Sequence, residues 1–228
     1  MRQLSMGSVG TDVMFLQCLL NKHGANPVLA EDGAFGTGTK TAVVSFQQRA
    51  RPLLAADGVV GSQTWSRFGL LTERLHNVQQ LGQPTNTSCW SVAASMVLGN
   101  MSVSQGSANL AVGGGLQMPL ENIETFLRGL NWRLLNNQSR PTISTLINGL
   151  RMGPLWVAFE GGSFQHAVAF SGFYTDGACD ESATVFRIHD PWPQGRGTVY
   201  SSTYHSQTVW VRAVNPAQAA MIQYVAAR

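Results

Sequence analysis

An eight-residue pattern occurs twice near the N-terminus. Asp32-Gly33-Ala34-Phe35-Gly36-Thr37-Gly38-Thr39 returns as Asp57-Gly58-Val59-Val60-Gly61-Ser62-Gln63-Thr64, an offset of 25 residues. Each copy reads D-G-x-Φ-G-x-x-T. Asp-Gly makes a tight turn in which glycine supplies positive φ, and the second glycine with its neighbouring Thr or Ser marks a helix start. Apolar residues follow at helical spacing: Ala42, Val43, Phe46 and Ala50 after the first copy, Trp65 and Phe68 after the second. Ahead of both, Val13, Leu16 and Leu20 line one face of a helix that Gly24 ends. Residues 1–72 are therefore expected to form a small three-helix domain, the two Asp-Gly pairs serving as turns.

The segment Gly7–Phe68 resembles the peptidoglycan-binding domain often fused to cell-wall hydrolases. The likeness rests on Gly7-Ser8-Val9-Gly10, Val13, Leu16-Gln17, Leu20, the first repeat, Ala42-Val43, Phe46-Gln47 and the second repeat with Trp65. It implies peptidoglycan as a partner. No residue is assigned to glycan or peptide contact. Residues 70–80 contain no Pro/Gly/Ser-rich linker, so a packed junction is expected rather than a loose tether.

The second domain is expected over 73–228. Ser88–Leu98 is apolar almost all round, which marks a buried helix. Pro119–Leu130 and Thr142–Leu150 have the amphipathic period. Then the period shortens to that of strands: 153–159, a turn at Gly161-Gly162, His166–Tyr174, Thr184–His189 and Thr208–Ala213. Helices followed by antiparallel strands indicate an α+β fold.

The chemistry gathers around Gln83-Pro84-Thr85-Asn86-Thr87-Ser88-Cys89-Trp90. A thiolate is the nucleophilic form of cysteine, and a helix N-terminus lowers the thiol pKa. Cys89 opens the buried helix. Gln83, six residues earlier, is placed to donate to an oxyanion. His166 opens an apolar strand and can serve as the base. Asp190 closes the next strand and can hold the imidazole tautomer. His189 is the alternative base, but neighbours on a strand face opposite sides. Cys18 sits mid-helix and reads as core. Cys179 lies in a loop without an evident partner. His23 reads as a helix C-terminal residue, and His76 and His205 read as surface residues. Trp192 either walls the active site and contacts substrate or fills core.

These motifs resemble the papain-like cysteine peptidases: Gln83…Ser88-Cys89-Trp90, then His166-Ala167-Val168 running to Gly172-Phe173, then Asp190-Pro191-Trp192. The third member is Asn in papain proper. Aspartate there resembles the compact bacterial families related to the AvrRpt2 effector and the bacteriocin-processing peptidases. In the resembling family the Trp after the third member shields the His-Asp pair. The resemblance implies a buried catalytic helix packed on an antiparallel sheet, with Cys89, His166, Asp190 and Gln83 catalytic. Two departures stand out. Asn86-Thr87 replaces papain's Cys-Gly, so papain's disulfide there is absent. The 77 residues from Cys89 to His166 are fewer than the roughly 130–150 of papain-type enzymes, which implies short loops.

Composition excludes other classes. Only 12% of residues are charged, about half the ~25% of ordinary soluble domains. The net charge is +3, without a Lys/Arg run to grip phosphates, so nucleic acid is not an expected partner. No apolar stretch approaches the ~20 residues of a membrane span. Three cysteines make no disulfide framework, and no Cys/His spacing suggests zinc; no metal or cofactor is expected. The N-terminus lacks an apolar signal core, so the expectation is delivery to the periplasm or cell wall without a cleaved signal.

The expected function is a cysteine hydrolase of peptide or amide bonds targeted to the bacterial wall, an endopeptidase or amidase acting as a lysin or a secreted antibacterial effector. Such an effector implies a cognate immunity or inhibitor protein. The alternatives are a papain-like effector that cleaves proteins and a non-catalytic peptidoglycan-binding protein. A deamidase or transglutaminase would use the same triad.

Overall fold

In a computed structural model of the chain, the structure describes residues 1–100, 111–112, 114–117, 119–136, 140–161, 164–178, 183–205, 208–210 and 219–228. Cys179, Gly162 and residues 211–213 of the expected last strand lie outside them. The chain divides into two compact units. One comprises Met1–Glu73 with Phe173–Phe186, the other Arg74–Gly172 with Arg187–Arg228.

The first unit has the expected three helices: α1 (Thr11–Lys22), α2 (Thr37–Arg49) and the single turn α3 (Ser62–Trp65), which continues as a 3-10 turn over Ser66–Phe68. The apolar face read from the sequence is the buried one, with Val13, Leu16, Leu20, Val43, Trp65 and Phe68 in one core. Ala50 is the exception, because α2 stops at Arg49 and Ala50 turns to extended backbone. His23 is the C-cap residue of α1. Tyr174, Ala183 and Val185 from the hairpin segment belong to the same core, and Tyr174 packs on Phe15 with ring centroids 5.6 Å apart.

The repeats are turns, and each is held the same way. Gly33 and Gly58 have φ of 72° and 74°, open to glycine at no steric cost. A buried glutamine from the preceding helix grips each turn. Gln17 Nε2 donates to Asp32 Oδ1 (2.9 Å), the Ala34 carbonyl (3.1 Å) and Thr39 Oγ1 (3.2 Å), while its Oε1 accepts from Gly33 N–H (2.9 Å). Gln47 Nε2 does the same with Asp57 Oδ1 (3.1 Å), the Val59 carbonyl (2.9 Å) and Thr64 Oγ1 (3.3 Å), and its Oε1 accepts from Gly58 N–H (3.0 Å). The Asp, Gly and Thr of the pattern are thus three contacts of one glutamine. These bonds hold the Asp32 carboxyl below its ordinary range, Gln17 contributing most.

The second unit follows the expected α+β order. From Thr72 onward the elements are β1 (Thr72–Leu75), α4 (Cys89–Leu98), β2 (Ala111–Val112), β3 (Gly115–Leu116), α5 (Leu120–Gly129), β4 (Arg133–Leu134), α6 (Ile143–Met152), β5 (Leu155–Gly161), β6 (Phe164–Thr175), β7 (Thr184–Asp190), β8 (Thr198–His205), β9 (Thr208–Trp210) and β10 (Ala219–Ala227); the ends of β1, β6 and β7 belong to the first unit. The sheet runs β1-β6-β5-β10-β9-β8-β7, and β7 also pairs with β6, which closes the strands into a ring. The pairs β5–β6, β5–β10, β9–β10, β8–β9 and β4–β10 are antiparallel. Strand β1 occupies the stretch taken from sequence as a plain connection. His76, read as a surface residue, is half-buried and its Nε2 bonds the Leu150 carbonyl at 2.6 Å.

Helix α4 packs on this sheet through small residues. Ala93 and Ala94 share a core with Ala158, Ala167, Ala169 and Ala226, filled out by Trp90, Phe126 and Trp156. Small side chains on both sides bring the helix close to β5 and β6. The aromatic residues supply the apolar burial, at roughly 1.5–3 kcal/mol for each large side chain.

Candidate active site

Cys89 is the first residue of α4, and the loop before it is fixed by its own polar groups. Ser88 Oγ accepts from Thr85 N–H (3.1 Å) and donates to the Thr85 carbonyl (3.0 Å). Inside the helix, Ser91 and Ser95 Oγ bond carbonyls one turn back. Polar side chains can therefore be buried along α4 without an orphaned hydroxyl there.

His166 comes from β6, opposite Phe159 of β5. Its Nε2 lies 2.7 Å from Asp190 Oδ1, which leaves Nδ1 as the nitrogen available to the thiol. Asp190 ends β7 and is wholly buried. Its Oδ1 also accepts from Trp192 N–H (2.8 Å), and its Oδ2 accepts from the Tyr200 hydroxyl (3.1 Å). Gln80 Nε2 donates to the Asp190 carbonyl at 2.8 Å. Gly197, with φ of 65°, passes so close behind that an added Cβ would lie 2.7 Å from the same carbonyl.

Burial alone would raise the Cys89 thiol. The hydrogen bond and charge of His166, with the main-chain N–H groups of Ala167 and Trp90, outweigh it and bring the thiol below its ordinary value. Burial would likewise lower His166, but its bonds to Asp190 and Cys89 raise it to about 10. Both shifts favour one state, a thiolate beside an imidazolium. Cys18 shows the contrast. It is buried in the first unit's core, and burial with nearby Glu31 pushes its thiol far up.

A cavity of about 220 Å³ opens on Cys89 and His166. Trp90, Trp156 and Leu116 give it apolar walls, and Asn86, Gln117 and Gln165 give it uncharged polar ones. Among the described residues, none of Asp, Glu, Lys or Arg lines it. Groups of three or more His, Cys, Asp or Glu able to hold a metal ion are absent among the described residues.

Gln83 is buried beside this site without lining the cavity. Its main chain is tied to the loop after β7, Gln83 N–H donating to the Pro191 carbonyl (2.9 Å) and Gly195 N–H to the Gln83 carbonyl (2.8 Å). Its Nε2 donates to the Thr85 carbonyl (2.8 Å), and its Oε1 is buried with no partner among the described residues. Trp192 also lies off the cavity lining, and its main-chain N–H is what reaches Asp190. His189 faces away from this cluster. Both its ring nitrogens are buried with no partners among the described residues, and burial, with Arg187, lowers it to about 4. Tyr200 is the residue sequence reasoning missed. It lies on β8, a Thr/Ser-rich strand with weak apolar alternation, and the place of β8 beside β7 in the sheet brings it to Asp190.

Residues 9–68 match the peptidoglycan binding domain family. Residues 72–208, more than half of the chain, match the family described as papain-like cysteine protease AvrRpt2. No curated protein sequence matches the chain significantly. Among solved structures, the crystal structure of Burkholderia AP3 phage endolysin is 40% identical over 30% of this chain and 25% of that one, with a TM-score of 0.27; the match spans a quarter of the endolysin chain. The chain belongs to the papain-like cysteine protease family of AvrRpt2, with a peptidoglycan binding domain ahead of the protease.

Proposed function

We propose that the chain is a cell-wall hydrolase in which residues 1–72 hold peptidoglycan and residues 73–228 cleave amide bonds within it. One observation carries the reading: a thiol lowered by an Asp-backed histidine opens on a cavity, in a chain whose N-terminal part matches a peptidoglycan binding domain. Cys89 thiolate attacks the acyl carbon. The His166 imidazolium gives its proton to the departing amine. Water, deprotonated by the now neutral His166, then releases the acid and restores the thiolate–imidazolium pair. Asp190 keeps Nε2 engaged, so that Nδ1 handles the proton in both steps.

The oxyanion meets main-chain N–H groups at the start of α4 and the second N–H of the Gln83 amide, its first being held by Thr85. Trp192 acts through its main-chain bond to Asp190. Among the described residues no Asp, Glu, Lys or Arg lines the cavity, which favours neutral residues around the scissile bond. Tethering to the wall raises the enzyme's effective concentration there. The site of action is the wall or periplasm, and an antibacterial role carries with it a cognate inhibitor in the producing cell.

The family's protease description favours a second reading, cleavage of protein substrates. Purified sacculi and casein separate the two. Wall hydrolysis predicts new free amines on muropeptides by mass spectrometry and intact casein. Casein fragments with unchanged muropeptides would support the protein-cleaving effector instead.

A further inference from the structure

A second hollow, of about 330 Å³, lies wholly within the first unit and is lined by His23, Phe46, Arg49, Ala50, Arg51 and Arg67. Three guanidinium groups share one concavity, and among the described residues none of them forms an ion pair with a carboxylate. Like charges so placed repel one another, so they call for an explanation.

Part of it is local. Arg49 Nε donates to the Ser45 carbonyl (3.2 Å), and Arg51 Nη1 to the Gln48 and Ala50 carbonyls (3.4 and 3.1 Å). Both therefore offset the carbonyl end of α2. Arg67 is different. It comes from the 3-10 turn, not from α2, and its Nε is buried with no partner among the described residues. Helix capping does not account for a third arginine held there unsatisfied.

The floor is apolar and rigid. Phe46 stacks on Phe68 with centroids 4.1 Å apart and planes 11° apart, and His23 meets both rings edge-on. Arginine forks match planar carboxylates with paired bonds, and an aromatic floor suits an aliphatic body carrying the acid.

We infer that this hollow is where the first unit grips the wall, and that it takes the free carboxylates of peptidoglycan stem peptides. The inference rests on the reading that the first unit holds peptidoglycan. It places recognition on Arg49, Arg51 and Arg67, away from the repeated turns.

The test is co-sedimentation with purified sacculi of the full-length chain carrying Cys89→Ala, so that the sacculi stay intact. Adding Arg49→Gln with Arg51→Gln, or Arg67→Gln, is expected to raise the half-saturation concentration on the order of tenfold; the double variant, having lost its bonds to the end of α2, should melt slightly lower yet keep a native circular dichroism spectrum at the assay temperature. In the Cys89 protein the same changes leave turnover of a small soluble substrate as it was. Amidating the wall carboxyls should abolish sedimentation, whereas stripping phosphodiester polymers with hydrofluoric acid should not. If the parent sediments and both variants sediment equally well, the hollow is not the contact, while wall binding stands. Loss on phosphodiester stripping with no effect of amidation would make the anion a phosphate and overturn the carboxylate assignment. A parent that never sediments removes both this inference and the reading beneath it.

Discussion

Three glutamines in this chain are equally buried, Gln17 at 2% exposure and Gln47 and Gln83 at 1% each, yet they serve different ends. In the first unit both amides are saturated at oxygen and nitrogen by one turn apiece. In the protease unit the Gln83 nitrogen has a carbonyl partner, while its oxygen has none. A buried amide with every valence filled is a fastener, because losing it orphans several groups at once. A buried amide with an unpartnered oxygen costs stability, and the second N–H of its nitrogen is the donor left over for the site. The same contrast separates two thiols, the buried Cys18 and the half-buried Cys89. Cys18 is sealed and inert, whereas Cys89 ends a charged relay at a cavity wall.

The largest effect should come from the open end of the relay. Cys89→Ala is expected to abolish turnover on any substrate while leaving the circular dichroism spectrum native, and iodoacetamide at neutral pH should label Cys89 well before Cys18. Residual turnover in that variant would end the cysteine-hydrolase reading. Next, Gln83→Ala should lower kcat by about 10²–10³ if its amide meets the oxyanion. An unchanged kcat would reduce Gln83 to a fastener like the other two.

Gln17→Ala or Gln47→Ala should cost about 2 kcal/mol in urea unfolding, since the turn's Gly N–H and Asp lose a buried partner, with kcat on a soluble substrate untouched. Tyr200→Phe removes one bond to Asp190 and should cost about 1 kcal/mol with a few-fold loss of kcat. A larger loss of rate than of stability would show that the hydroxyl tunes the histidine.

The pH profiles sharpen the contrast further. His166 is raised in the fold, so its contribution to stability is full below pH 6.5 and disappears as pH climbs through about 10. Activity should fall along the same alkaline limb. Cys89 is lowered, so its contribution is present above the ordinary thiol value and is lost as acid protonates the folded thiolate. His189 has the opposite sign to His166. Held at about 4, it is neutral in the fold while the unfolded chain takes up a proton below pH 6.5. Stability should therefore fall from pH 6.5 towards 4, and His189→Phe should flatten that slope in pH-dependent melts.

What the sequence made legible follows from how local each feature is. The Asp-Gly turns declare themselves because glycine's conformational freedom and the Asp side chain act within a few residues. Helix α4 and strands β5 to β7 carry strong apolar periods, and Cys89, His166 and Asp190 sit at their ends. The role of Gln17 and Gln47 was hidden, since a glutamine on a helix gives no sign of the turn it will grip. Strands β8 and β10 were hidden too. Ala219–Ala227 is rich in alanine, which is depleted in strands, and only pairing with β5 and β9 makes it one. Tyr200 could not be found without knowing that β8 lies beside β7.

The hairpin segment Phe173–Phe186 has a practical consequence. It is counted with the first unit, and its Tyr174, Ala183 and Val185 fill that unit's core, although it is encoded a hundred residues later, inside the protease. Protein engineers exchange wall-targeting modules by cutting at a linker and splicing. Here a splice after residue 72 delivers a module with part of its interior missing. Such a graft should be sticky and poorly soluble until the hairpin is supplied in trans or the bare apolar surface is recoded as polar. Evolution faces the same constraint, so the two halves of this chain are expected to travel between genomes as one piece.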